Sequence, residues 1–246
     1  RQRGALSRHV ALAGELSRLV EERGLMELSE LEQELACTEG LTEGFNRVET
    51  VVEDPKVRWQ DKLRMVLLYA LRYELEGERE IRFLERSLRD APGVPPRALA
   101  AWASLKRHAG VGVRGCDIFN KQTVVGAART MVRKHVEGIR GVDNALTRHE
   151  PLLASRLAAL KMAGVSALRD SEFKVLGAGR STARPQEVVV FMVGGATYAE
   201  ERVVAEFNKD NSAKGIRVVL GCTTLHNTDS FVTEICRHPA AAPTPP

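Results

Sequence analysis

The strongest structural signal in the chain is the run Glu187-Val-Val-Val-Phe-Met-Val193, which is followed directly by Gly194-Gly195. The run is apolar at successive positions and rich in β-branched residues, a pattern typical of a strand buried on both faces of a parallel sheet. A second apolar run covers residues 216–220, and a helix predicted over residues 198–209 lies between the two runs. The segment therefore predicts one βαβ unit with a right-handed crossover.

The predicted sheet is incomplete, because the chain supplies only two parallel strands. A parallel sheet has both faces covered and usually contains four or more strands. We therefore expect either that the partner strands come from a segment before Arg1 or that the chain is a truncated product. The first alternative predicts a domain that is formed from both ends of a longer chain.

The residues up to about 184 are predicted to be mainly helical. Leu63 begins a series of apolar residues at positions i, i+3, i+4, i+7 and i+8, which predicts a well-buried amphipathic helix. Ser29 followed by Glu32 has the spacing of a capping box, which predicts that a helix begins at Ser29. The same apolar periodicity predicts helices in five further segments, residues 6–20, 81–88, 96–105, 121–136 and 152–160.

These patterns divide the chain into three predicted parts. Residues 1–184 form a mainly helical region, and residues 185–237 form the βαβ unit with a closing helix over residues 229–236. The predicted fold class is therefore a mixture of α+β and α/β, a helical region followed by part of an incomplete parallel sheet. Residues 238–246 are a Pro/Ala tail without apolar core residues, and we expect this tail to be disordered.

Composition and charge argue against several classes of partner. The chain carries 36 Lys and Arg against 32 Asp and Glu, a formal net charge of +4, but its basic residues alternate with acidic ones. Aromatic residues make up only 5% of the chain and none lies within a basic run, so we expect no nucleic-acid binding. No apolar run approaches the roughly 20 residues that cross a bilayer, which predicts no membrane insertion.

The cysteines and the N-terminal segment indicate a cytoplasmic protein. The first 24 residues contain no continuous apolar run of the kind found in secretory signals. The four cysteines lie far apart in the sequence, without the paired spacing of a disulfide framework or a metal site (Cys37, Cys116, Cys222 and Cys236). This usage is typical of a reducing compartment.

The best candidate for ligand chemistry is the turn after the first strand. Glycines between a strand's carboxyl end and a helix N-terminus can bind an anion through backbone N–H groups. The candidate anion-binding residues lie in this turn and in the turn after the second strand (Gly194, Gly195, Thr197, Thr223 and Thr224). The phosphate-loop lysine and the Gly-x-Gly-x-x-Gly fingerprint are absent. The alternative is structural: the glycines permit a sharp turn, and Thr197 caps the next helix.

Catalytic and metal-binding patterns are weaker. Cys222 and His226 could pair as nucleophile and base, but capping of the last helix by Asn227 or Thr228 is a sufficient explanation of this turn. The sequence contains neither the His-Glu-x-x-His zinc motif nor a Cys-x-x-Cys pair. We therefore predict that the protein is not an enzyme and that it needs no metal or cofactor.

Two long motifs are the most distinctive in the chain, Val190-Phe-Met-Val-Gly-Gly-Ala-Thr-Tyr-Ala-Glu200 and Gly215-Ile-Arg-Val-Val-Leu-Gly-Cys-Thr-Thr-Leu-His-Asn-Thr228. Three earlier segments accompany them, Gly14-Glu-Leu-Ser-Arg-Leu-Val20, Glu32-Gln-Glu-Leu-Ala-Cys37 and Met65-Val-Leu-Leu-Tyr-Ala-Leu-Arg-Tyr-Glu74. In order and spacing these segments resemble the Sec/Munc (SM) family of syntaxin-binding regulators of SNARE-mediated membrane fusion. The chain departs from the family pattern at Leu146, at Cys222 and over residues 167–184.

The resemblance implies an arch-shaped protein. In SM proteins the second domain contains a parallel sheet built from two separated chain segments, with a long helical third domain between them. On this basis residues 1–184 are the later part of the third domain, and residues 185–237 are the returning half of the second domain. The residues that bind the partner are not identified by the resemblance, because the family's SNARE-holding hairpin and first domain precede the matched segments.

The resemblance also implies a function. We expect binding to a syntaxin-type SNARE and to SNARE complexes, without a cofactor, in vesicle docking and fusion during trans-Golgi, endosomal or vacuolar transport. The protein would be cytoplasmic and peripheral on Golgi and endosomal membranes through its partners. Two alternatives remain open, a nucleotide- or anion-binding α/β domain that uses the Gly194-Gly195 turn, and a fragment that no longer binds SNAREs.

Overall fold

The structure, a computed structural model, describes residues 2–37, 40–114, 119, 148–164, 174, 176, 185–212 and 215–237. The contacts between these residues form two compact units. The helical unit contains the described residues up to Phe119, residues 148 and 149, and the segment from Phe231 onward. The strand unit contains the described residues from Glu150 to Ser230.

The helical unit contains helices α1 (Gln2–Glu22), α2 (Leu25–Cys37), α3 (Leu41–Glu53), α4 (Trp59–Arg72), α5 (Glu78–Asp90), α6 (Pro96–Leu99) and α7 (Ala101–Ala109). The strand unit contains helix α8 (Leu152–Ala163), strands β1 (Glu187–Met192) and β2 (Ala196–Thr197), helix α9 (Tyr198–Asn211), and strands β3 (Arg217–Cys222) and β4 (Leu225–His226). Helix α10 (Thr228–Arg237) begins in the strand unit, and its later turns belong to the helical unit. The helix predicted over residues 121–136 and the tail predicted over residues 238–246 lie outside the described residues.

Helix α4 forms the centre of the helical core, as its apolar periodicity predicts. It contacts α2, α3, α5 and α7, and most of its apolar side chains are fully buried (Leu63, Met65, Val66, Leu67, Tyr69 and Ala70). Helix α5 adds Ile81, Leu84 and Leu88 from one face, and α10 adds Val232 and Ile235. Because neighbouring helices cover α4 on several sides, side chains on more than one of its faces are buried.

Burial of α4 also brings charged residues into the core. The carboxylate of Asp61, 2% exposed, accepts two hydrogen bonds from the Arg23 guanidinium at 3.0 Å, and Arg64 lies 3.5 Å away. The ammonium of Lys62, also 2% exposed, donates to the carbonyl oxygen of Val52 at 2.7 Å. A buried charge is costly without such partners, so these contacts fix how α4 sits against the preceding segments.

The predicted helix start at Ser29 is wrong, because α2 begins at Leu25 and Ser29 lies within the helix. Gly24, with a φ of +57°, makes the sharp turn after α1 that only glycine adopts readily. The core then holds three leucines of α2 at helical spacing, Leu28, Leu31 and Leu35. Because burial of this apolar face stabilises α2, the helix begins at Leu25, before the capping pattern at Ser29.

The predicted βαβ unit is confirmed. Strands β1 and β3 are parallel, with a register that runs from Glu187 opposite Arg217 to Met192 opposite Cys222, and α9 connects them. One face of this pair packs against α8 and α9 through a small apolar cluster (Leu153, Leu157, Val188, Val190, Val203, Val204, Phe207, Val218 and Leu220). The predicted mixed fold class, a helical region followed by part of a parallel sheet, is confirmed as well.

The expectation that the first strand is buried on both faces is wrong for this chain. Val189 is 72% exposed and Phe191 is 61% exposed, because α8 and α9 contribute to the apolar cluster on the other face only. Among the described residues, β1 pairs with β3 alone. The domain limits predicted at residues 184 and 237 stay predictions.

Replacement of Leu84 by Ala tests the helical core. Leu84 is fully buried, so Leu84→Ala removes packed methyl groups and should lower the free energy of unfolding by about 2–5 kcal/mol. Urea unfolding followed by far-ultraviolet circular dichroism measures the change. The matched control is Leu75→Ala, where the leucine is 77% exposed and we expect a change within about 0.5 kcal/mol. Equal losses in the two variants would contradict this core assignment.

Candidate functional site

The candidate site lies at the carboxyl ends of β1 and β3, where two turns meet. The backbone N–H of Gly194 donates to the Thr223 hydroxyl oxygen at 3.0 Å. The backbone N–H of Ala196 donates to the Thr224 carbonyl oxygen at 2.9 Å. Parallel strands end at the same edge of a sheet, so residues far apart in sequence come together here. The structure thereby brings the five predicted residues into one pair of adjoining turns.

The two turns contact each other most closely at Gly195 and His226. Gly195 has a φ of +115°, and a Cβ atom built on it would lie 2.3 Å from Cδ2 of His226 and 3.0 Å from the Thr224 carbonyl oxygen. The His226 side chain is buried, and β2 and β4 pair in parallel beside it, with Thr197 opposite His226. Glycine at residue 195 is therefore required by geometry, because a side chain there would overlap the imidazole.

The hydrogen bonds of Ser230 show how the second turn leads into α10. The backbone N–H of Ser230 donates to Oδ1 of Asn227 at 2.9 Å, and the backbone N–H of Asn227 donates to Oγ of Ser230 at 3.0 Å. Asn227 therefore caps α10, one of the two caps that the sequence predicts. Ser230 was missed, because the capping-box signature has Glu or Gln, not Ser, three residues after the cap.

His226 and Ser230 lie in contact, with Nδ1 of the imidazole 3.0 Å from the Ser230 oxygen. A hydroxyl has one proton, and that of Ser230 is donated to the Asn227 carbonyl oxygen. The Ser230 oxygen also accepts from the backbone N–H of Asn227 at 3.0 Å, so the imidazole and the hydroxyl meet within the cap of α10. Ser230 therefore takes part both in the cap of α10 and in the contact with His226.

The first turn leads into α9 through a capping box. The backbone N–H of Thr197 donates to a carboxylate oxygen of Glu200 at 2.8 Å, and the Thr197 hydroxyl contacts the same oxygen. The Thr197 oxygen in turn accepts from the backbone N–H of Ala199 at 3.3 Å. The predicted capping role of Thr197 is confirmed. The part of Glu200 in the box was missed, although Thr-x-x-Glu is the signature.

The cap formed by Thr197 and Glu200 affects whether the first turn can bind an anion. An anion at the N-terminus of α9 would meet the Glu200 carboxylate, a negative charge already placed at the positive end of the helix dipole. Anion binding by the five residues named from the sequence stays a prediction. Within the described parts of the chain, no group of three or more His, Cys, Asp or Glu is arranged to hold a metal ion.

Comparison with known proteins identifies the family that the chain matches. The sequence profile described as "Sec1 family" matches residues 1–234. Vacuolar protein sorting-associated protein 45 of Rattus norvegicus is 38% identical over 232 residues, which covers 94% of this chain and 39% of the relative. The homologous protein of Arabidopsis thaliana is 38% identical over 235 residues, with 96% and 39% covered. The chain thus spans about two-fifths of the length of these relatives.

Solved structures agree with these sequence matches. The SM protein Vps45 in complex with the Qa SNARE Tlg2 superposes with a TM-score of 0.78 at 33% identity, covering 95% of this chain and 40% of that one. The Unc18–syntaxin 1 complex from Monosiga brevicollis superposes with a TM-score of 0.67 at 18% identity, covering 96% and 40%. The second match shows the fold alone.

Replacement of each glycine in the first turn by Ala tests the contact with His226. Gly194 has a φ of +100° but open space around it, so Gly194→Ala should cost only the backbone strain, about 1–2 kcal/mol. Gly195→Ala adds the overlap with the imidazole, which we expect to cost about 1–3 kcal/mol more. Thermal unfolding of the two variants and the parent chain measures the difference.

The double variant Gly195→Ala/His226→Ala identifies the cause of the larger loss. Removing the imidazole makes room for the new methyl group, so the two changes should cost less together than the sum of their separate effects. Additive losses, or equal losses for Gly194→Ala and Gly195→Ala, would show that the contact is not the reason for glycine at residue 195.

Proposed function

This chain belongs to the Sec1 family, and from that membership we propose that the intact protein binds a syntaxin-type SNARE. The binding promotes correct SNARE assembly before membrane fusion in trans-Golgi, endosomal or vacuolar transport. The match to the Vps45–Tlg2 complex along 95% of this chain is the observation that carries the proposal. Because the chain spans only about two-fifths of that relative, the function is proposed for the whole protein.

The mechanism that we propose is binding without covalent chemistry. Syntaxin-type SNAREs are helical partners, and a helix is recognised when its apolar residues at helical spacing enter a rigid groove. The product is an assembled helical bundle, so the reaction needs neither a cofactor nor a nucleophile. The capped strand-end turns support this view, because the Thr197 and Ser230 hydroxyls are engaged by their own helix caps.

In this mechanism the helices around α4 stiffen the scaffold that holds the partner. The buried ion pair of Asp61 with Arg23 joins α4 to the residue after α1, and Lys62 joins α4 to α3. A scaffold whose helices are joined in this way loses little conformational entropy when a partner binds. Rigid positioning is thus the contribution that we assign to the helical unit.

We propose that the protein works in the cytoplasm and associates with Golgi and endosomal membranes through its SNARE partner. Among the described residues, no helix is both long and apolar enough to cross a bilayer. Anchoring by the partner suits a regulator of fusion, because the SNARE is already attached to the membrane on which it acts.

Binding of the intact protein to purified syntaxins tests the proposal. We expect an endosomal or trans-Golgi syntaxin, freed of its membrane anchor, to bind with a Kd of about 1 µM or tighter, equivalent to about 8 kcal/mol. Isothermal titration calorimetry measures the affinity, and a plasma-membrane syntaxin of similar length is the matched control. Absence of binding to every endosomal and trans-Golgi syntaxin would overturn the proposal.

A further inference from the structure

The side chain of Asn208, on helix α9, hydrogen-bonds to strand β3 as a neighbouring strand would. Its oxygen Oδ1 accepts from the backbone N–H of Val218, and its nitrogen Nδ2 donates to the Val218 carbonyl oxygen, each at 2.8 Å. One carboxamide therefore satisfies both backbone groups of one strand residue. Within a sheet, the backbone of the adjacent strand makes these two bonds.

The bonds of Asn208 lie on the outer edge of β3, away from β1. The backbone N–H of Arg217 donates toward β1, to the Gln186 carbonyl oxygen at 2.8 Å. At the other end of the pair, the backbone N–H of Thr223 donates to the Met192 carbonyl oxygen at 3.2 Å. Successive residues of a strand direct their N–H and C=O groups to opposite edges. Odd-numbered residues of β3 therefore bond with β1, and even-numbered residues direct their backbone groups outward.

Packing of α9 fixes Asn208 in this position. Val204 and Phe207 of α9 belong to the same apolar cluster as Val218. Asn208 follows Val204 by four residues, so the two side chains lie on one face of the helix. A strand added to a sheet lies about 4.8 Å from its neighbour, and beside Val218 the carboxamide occupies that space. The outer edge of β3 is therefore closed at this residue.

The outer edge of β1 is open. By the same alternation, the backbone N–H and C=O groups of Val189 and Phe191 point away from β3. Within the described parts of the chain, no residue hydrogen-bonds to these groups. The side chains of both residues, together with Val219 opposite Val189, form an apolar patch on the exposed face of the pair. Parallel sheets have both faces covered, so this edge and this face are typical of an inner strand.

We propose that β3 is the last strand of its sheet, ended by Asn208, and that β1 pairs on its open edge with a strand from the rest of the intact protein. The resemblance to SM proteins predicts a sheet of two chain segments but not the strand at which the segments join. The difference between the two edges assigns this junction to β1. The proposal does not depend on which SNARE the intact protein binds.

A strand of the same protein suits the edge of β1 better than a second copy of this chain does. The chain spans about two-fifths of the length of its relatives, so the rest of a protein of that length can supply both the strand and a cover for the apolar face. A second copy would pair β1 with β1 and leave the exposed faces of both copies in water. Burial of Val189 and Phe191 therefore favours the first arrangement.

Hydrogen–deuterium exchange of the intact protein, resolved to single residues, tests the proposal. We expect the backbone amides of Val189 and Phe191 to exchange at least about a hundredfold more slowly than in unstructured peptide, because the added strand protects them. The Leu220 amide, on the outer edge of β3, should exchange about a hundredfold faster than the Val219 amide, which bonds with β1. The Val218 amide should be protected, since Asn208 accepts its proton.

The variant Asn208→Ala tests the residue that closes the edge of β3. It removes both bonds to Val218, so the Val218 amide should exchange about tenfold faster, while the Val219 amide keeps its rate. The matched control is Lys209→Ala, at the next and exposed residue of α9, which should leave exchange at Val218 unchanged. Equal exchange at Val218 in the two folded variants would show that Asn208 does not close the edge. Exchange in the parent protein tests the edge of β1 without any variant.

Three further results would overturn the proposal. The first is rapid exchange at Val189 and Phe191 in the intact protein, which would mean that no strand lies beside β1. The second is equal protection of the Leu220 and Val219 amides, which would place a strand beside β3. The third is protection of Val189 that grows with protein concentration, which would assign the neighbouring strand to a second copy. None of these results decides the syntaxin titration, so the two proposals are tested separately.

Discussion

The imidazole of His226 lies where the side chain of residue 195 would begin, and the arrangement of the strand unit depends on this contact. A Cβ atom built on residue 195 would lie only 2.3 Å from the ring, so only glycine allows the turn after β1 to pass the turn after β3. The backbone bond from Ala196 to Thr224 and the pairing of β2 with β4 lie beside it. The starts of α9 and α10 follow directly from these two turns.

Helix caps take up polar groups at this glycine-containing strand edge. In many α/β proteins this edge binds a ligand, because helix N-termini and polar turns meet there. Here Glu200 occupies the start of α9, and Asn227 with Ser230 completes the start of α10. These capping groups hold the starts of the two helices in place.

Much of the fold could be predicted from the sequence, because apolar periodicity reports burial directly. The series from Leu63 predicted α4, and the two apolar runs predicted β1 and β3 with a helix between them. The beginning of α2 could not be predicted from its capping pattern, since core packing of Leu28 outweighed the local signal at Ser29. Which side of β1 is exposed depends on the elements that pack against the strand. The sequence of residues 187–193 alone does not contain this information.

The candidate site was predicted in position but not in detail. Strand ends and glycines located the two turns, and the caps at Thr197 and Asn227 followed from residue type. The parts played by Glu200 and Ser230 were missed, although both stand three residues after a cap. The contact of Gly195 with His226 was beyond sequence reasoning, because it joins two turns that are 31 residues apart in the sequence.

Thermal unfolding of the intact protein in the presence of ATP, GTP or inorganic phosphate tests most directly whether the strand-end turns are structural. Each ligand is added at up to about 5 mM, with matched sodium chloride as the control for ionic strength. If Glu200 and the two caps occupy the turns, the melting temperature will stay constant within error for every ligand. A melting temperature that rises with ligand concentration, and that no longer rises in a Gly194→Ala/Thr223→Ala variant, would contradict the structural role of these turns. A ligand at a hundred times its Kd would stabilise the protein by about 2.7 kcal/mol.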